Sequence, residues 1–282
     1  MDEFSKFHPV VNLIYFISVI GIATISLNPV LLGIGLVCSV AYSIMLCSTN
    51  SIKLNLTFVL PLMIFSIIIN PILNHRGITI VGYLPTNTPV TMESILYGIA
   101  SAVMIGEIIN WFMCFNKIIT EDKFIYLFGK AAPSLAIIIS MIFRFVPRLC
   151  RQFKEVYKAT GSKRNFKDIG DVISIVLTKS LEDAVDTSTS MKSRGYGIKN
   201  RKSYYKVKFD TRDLITLISI ILLFGIVISG FKIGIITVLY FPKFVFDLKI
   251  NIFYIVYFAL CVLPIFIEVK EVLVWKRLRS KI

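Results

Sequence analysis

Apolar residues in this chain are grouped into long unbroken runs, not the alternating or three-to-four spacing that half-buried elements of a soluble domain need. Residues 10–27, 30–47, 55–73 and 91–115 form the first four runs. Each is near the length of helix that crosses a hydrocarbon core of roughly 30 Å. The pair Asn28-Pro29 parts the first two, because proline cannot continue a helix and restricts the residue before it. Residues 214–230 and 250–269 are two further runs of the same kind. Residues 131–143 form a shorter one that contains Pro133 and ends at Arg144, so an interfacial or buried helix is expected there. Residues 233–246 are broken by Pro242 and Lys243 and read as an external or re-entrant segment. The pattern predicts an all-α polytopic membrane protein with six spans and two shorter segments.

Composition supports this. Hydrophobic residues make up 56% of the 282 positions and charged residues only 17%, too few to cover the surface of soluble domains of this length. Intrinsic disorder, a secreted disulfide scaffold and an ordinary soluble enzyme are excluded on the same ground. The start of the chain, with Asp2 and Glu3 before Pro9, does not resemble a cleaved signal peptide. Five scattered cysteines lack metal or redox spacing, and two histidines exclude a multi-histidine metal site.

Charge gives the expected orientation. The net charge is +14, and residues 144–212 alone hold 17 basic and 7 acidic residues. Basic loops of membrane proteins stay on the cytoplasmic side. The loop at 74–90 has Arg76 as its one charge and is expected outside, whereas the tail from Lys270 onward is basic and is expected inside. No nucleic-acid-binding motif accompanies the charge, so the expected partner of the basic block is the lipid bilayer surface, not nucleic acid. Three regions follow: membrane helices at 1–115, a cytoplasmic or membrane-surface region at 116–212, and membrane helices with a basic tail at 213–282.

Within the basic region the spacing predicts two amphipathic helices. One starts at Pro147 as a first helical residue and puts Leu149, Phe153, Val156 and Thr160 on one face. The other runs from about Asp171 to Arg194, with an apolar-to-small face of Ile173, Val176, Leu177, Leu181, Ala184, Ser188 and Met191. Lys192 and Arg194 complement the dipole at its C-terminal end, and Gly195 offers a stop. Glu182, Asp183 and Asp186 read as a salt-bridged or solvated face, with Lys179 placed to pair with Asp183.

The run Met191-Lys192-Ser193-Arg194-Gly195-Tyr196-Gly197 resembles the Ala-Arg-Gly signature of the transmembrane T component of energy-coupling factor (ECF) transporters, with serine for the alanine. Phe7-His8-Pro9-Val10-Val11-Asn12, Ile69-Asn70-Pro71 and Phe143-Arg144-Phe145-Val146-Pro147-Arg148 resemble the same family. The family has two such signatures, each closing a cytoplasmic coupling helix. The other position here is Ala159-Thr160-Gly161, with threonine for the arginine and Lys163 or Arg164 beside it to supply charge. The resemblance implies a four-part importer for vitamins or metal ions. This chain would hold a membrane-embedded substrate-binding S component and rest on two cytoplasmic ABC-type ATPases. Met191, Ser193, Arg194, Gly195, Ala159, Thr160 and Gly161 would make the ATPase contacts, with Arg148 a secondary candidate. No G-x-x-x-x-G-K-[ST] loop occurs in the sequence, so a non-catalytic subunit without a cofactor of its own is expected, with ATP handled by the partners.

The alternative is a self-contained secondary transporter or channel using Glu107, an acid inside an apolar run with Asn110 one turn on. A membrane-embedded enzyme would need paired carboxylates, a Ser/His set or a metal cluster at membrane depth, and no such pattern is visible.

Overall fold

The computed structural model describes residues 3–47, 49–83, 88–131, 133–159, 166–196, 209–234, 236–242 and 251–279. Its helices are α1 (Pro9–Ile25), α2 (Pro29–Cys47), α3 (Thr49–Leu54), α4 (Leu60–Leu73), α5 (Met92–Ile118), α6 (Glu121–Ala131), α7 (Pro133–Ala159), α8 (Phe166–Ser193), α9 (Thr211–Lys232) and α10 (Ile252–Arg279). One antiparallel hairpin, β1 (Ile80–Tyr83) with β2 (Pro89–Thr91), lies in the α4–α5 loop. The chain divides into two compact units, residues 1–120 with 208–282, and residues 121–207.

The first unit is the membrane bundle. Among the described residues, five of its helical stretches are long and apolar enough to cross a bilayer, one fewer than the six spans expected; α1 is apolar but shorter, at 17 residues. The protein is therefore an all-α polytopic membrane protein, as the apolar runs predict. Helix α5 packs against α1, α2 and α4, and α10 against α2 and α9. Trp111, Tyr15, Tyr42, Phe16 and Tyr257 are among the largest fully buried side chains. In a bilayer the outer faces need no polar cover, so α4 keeps Leu60, Ile64, Phe65 and Ile68 exposed.

Polar ties fix the ends of the bundle. His8 accepts from the Val10 amide at the start of α1, and its own amide donates to Asp213 Oδ1 at 3.1 Å. Asp210 and Asp213 form a reciprocal capping box on α9. Asn70 donates to the Ser101 hydroxyl at 2.9 Å, joining α4 to α5. A turn of π-helix at Asn55–Val59 continues α3 into α4, with the Leu60 amide bonded five residues back to Asn55. Pro61 has no amide to donate and its ring would crowd the Thr57 carbonyl, so a wider turn here relieves the proline. Segment 236–242 is irregular, and Tyr240 donates to the Leu27 carbonyl at 2.7 Å while Asn28 donates to the Ile236 carbonyl at 3.0 Å.

In the second unit α7 packs against α6 and α8. Two expectations are corrected here. The apolar run 131–143 and the basic stretch after Pro147 do not form separate helices; α7 is one helix of 27 residues with Pro147 inside it. Pro147 and Phe143, the residue whose carbonyl the ring crowds, both lie on the exposed side. The apolar-to-small face expected of α8 is only partly buried. Val172 and Val176 are buried, whereas Ile173, Leu177 and Leu181 are 45%, 58% and 69% exposed. Apolar residues stand side by side on α8, so the period alone does not select its phase.

Candidate functional site

The end of α8 is built by its backbone. Gly195 has φ +77°, the left-handed region open to glycine. The Tyr196 amide donates to the Met191 carbonyl at 3.0 Å, and the Gly195 amide donates to the Lys192 carbonyl at 3.0 Å. This is a Schellman motif, with Gly195 one residue past the cap and Arg194 as the cap itself. The Ser193 hydroxyl turns back to the Ser190 carbonyl at 2.8 Å. Serine in the signature's alanine place thus spends its hydroxyl within the helix. Arg194 is left exposed at the tip and forms no ion pair among the described residues. Gly195 ends the helix as the sequence predicts.

Beside this tip lies a groove of about 500 Å³ between α7 and α8. Met141, Phe145 and Met191 give it apolar walls, and Arg144, Arg148, Arg194, Asp183 and Asp186 give it charge. Arg148 Nη2 pairs with Asp183 Oδ2 at 3.0 Å, and the Gln152 amide donates to the same oxygen at 3.3 Å. The expected Lys179–Asp183 pair is not formed, because Asp183 faces the seam with α7 where Arg148 reaches it first. Ala159 ends α7 and is exposed; Thr160, Gly161, Lys163 and Arg164 lie outside the described residues.

Glu107 is fully buried on α5. The Tyr257 hydroxyl donates to its Oε1 at 2.8 Å, and a Cβ on Gly35 would lie 1.9 Å from that oxygen. Asn110 is engaged elsewhere: its amide nitrogen bonds the Gly106 carbonyl, and its oxygen accepts from Asn55 at 2.9 Å and Ser43 at 3.3 Å. Glu107 and Asn110 therefore do not converge on one site. Tyr257 and Gly35 were not singled out in sequence, since nothing local marks a partner 150 residues away. No group of three or more His, Cys, Asp or Glu side chains able to hold a metal occurs among the described residues.

No known family's sequence profile matches the chain. It is 32% identical over 113 residues to the energy-coupling factor transporter transmembrane protein EcfT of Lactobacillus helveticus (strain DPC 4571). The alignment covers 36% of this chain and 41% of that protein, so it spans less than half of the relative's length. With its bundle of apolar helices and this relative, the chain is similar to the transmembrane T component of ECF transporters.

Proposed function

We propose that this chain is the scaffold and coupling subunit of an ECF-type ABC importer in the cell membrane, with both termini and residues 144–212 cytoplasmic. It transmits the motion of two ABC-type ATPases to a substrate-binding S component that takes up a vitamin or a metal ion. The observation that carries this reading is Arg194, exposed at a glycine-terminated helix end in a unit apart from the membrane bundle. A guanidinium so placed can make bidentate, charge-assisted hydrogen bonds to carboxylates or carbonyls in a partner's groove. Met191, Ser193 and Gly195 shape that tip, and Ala159-Thr160-Gly161 with Lys163 and Arg164 is the second contact. ATP is bound and hydrolysed by the partners.

The test is purification of the tagged chain from its native membranes. Two ABC-type ATPases and one small membrane protein are expected with it, and ATP turnover is expected in the complex and not in the chain alone. A solitary homo-oligomer that transports by itself in liposomes would overturn the reading in favour of a Glu107-based transporter. The geometry gives that alternative no added support, because Glu107 is tied to Tyr257 and pressed against Gly35.

A further inference from the structure

We propose that Asp183 is a positioning residue: held by Arg148 and Gln152, it sets the rotational phase of α8 and so aims Arg194. The proposal rests on the coupling reading above. Arg148 and Gln152 stand one turn apart on α7, and both reach Asp183 Oδ2, at 3.0 and 3.3 Å. Gln152 is buried and Asp183 half-buried, while Arg148 is half-exposed and reaches Asp183 from the groove side, so the contact lies at the rim of the seam.

Helix α8 packs on α7 and buries Val172 and Val176, both apolar, and apolar burial is non-directional. Helix α8 also carries a second apolar stripe, Ile173, Leu177 and Leu181, one residue further round. Turning α8 by about 100° would bring that stripe to α7 at little cost in buried area. It would also carry Asp183 away from its two donors. A polar contact in an apolar interface can thus choose one phase between two that hydrophobicity leaves nearly equal.

That choice reaches the tip. Arg194 lies eleven residues after Asp183, and α8 is helical throughout to Ser193. Eleven residues at about 100° each bring Arg194 to within roughly 20° of the Asp183 face, some 16 Å along the axis. A phase fixed at Asp183 is therefore the phase in which Arg194 meets its partner.

The experiment uses the complex purified through the tagged chain, reading ATPase retention and ATP turnover per chain at matched membrane abundance and trypsin resistance. Asp183→Arg and Arg148→Asp are each expected to lower both readouts by roughly 5-fold or more, and the double exchange to restore them to within about 2-fold. In an Arg194→Lys background the further loss from Asp183→Ala is expected to shrink, because the clamp acts through the residue already weakened. Normal turnover in Asp183→Ala, an exchange that restores nothing, or a loss that simply multiplies with that of Arg194→Lys would overturn the proposal while leaving the coupling reading intact. If Arg194→Ala itself is silent, the coupling reading falls, and the clamp with it.

Discussion

The hydroxyl of Tyr257 on α10 donates to Oε1 of Glu107 on α5 at 2.8 Å, with both side chains sealed from solvent. Helix α2 completes the arrangement, because Gly35 faces the carboxyl group and leaves no room for a methyl. Three helices distant in sequence thus meet at one polar point inside an apolar bundle. A buried polar group without its partner costs about 1–3 kcal/mol, so this point ties the helices in one arrangement.

Gly35→Ala is expected to destabilise the bundle by about 1–3 kcal/mol, since the new Cβ must displace either Glu107 or α2. Thermal unfolding of the detergent-solubilised protein measures this. Combining it with Glu107→Ala should recover part of the loss, because the obstructing carboxyl is gone. Losses that simply add would show that the crowding lies elsewhere.

Asn110→Leu should cost about 1–3 kcal/mol in the same assay, because the Asn55 amide and Ser43 hydroxyl lose their shared acceptor. Ser66→Ala removes only a 3.4 Å contact at a half-buried site and should move the midpoint little. Equal shifts for the two variants would contradict the network.

How much of this was legible in sequence depends on range. The bundle helices follow directly from apolar runs, and Gly195 marks its helix end because left-handed backbone is a local property. The Asp183 partner was misread because an i, i+4 rule sees Lys179, while the fold supplies Gln152 from 31 residues away and Arg148 one turn before it. Pro147 was read as a helix start because proline favours that position, yet α7 begins at Pro133 and runs through it. The Glu107 site needs Tyr257 and Gly35 from two other helices, and no periodicity announces such a meeting.

The proposed cytoplasmic side of residues 144–212 rests on their basic excess and is testable with Cys150, which is exposed on α7. With the other four cysteines replaced, a membrane-impermeant maleimide should label Cys150 only after the cells are opened. Ser203→Cys, in a cysteine-free background, should behave the same way. Labelling of either in intact cells would reverse the topology.

Arg194 should carry much of the coupling, because its exposed guanidinium stands at a helix end that the Gly195 turn holds in place. Truncating one partner of a charge pair desolvated at an interface typically costs about 2–5 kcal/mol, or some thirty-fold and more in affinity. Arg194→Ala should therefore lose most of the ATPase subunits on purification. Lysine keeps the charge without the planar fork, so Arg194→Lys should be partly active. Arg194→Glu should fall below Arg194→Ala, because it sets like charge against the acidic groups that an arginine tip is suited to meet. Lys199→Ala and Lys202→Ala, in the basic stretch beyond, should change little if they face lipid headgroups. Complex yield and substrate uptake at matched membrane expression measure all five variants. If Arg194→Ala matches Lys199→Ala in both, Arg194 is one more surface charge and the coupling contact must lie elsewhere on the chain.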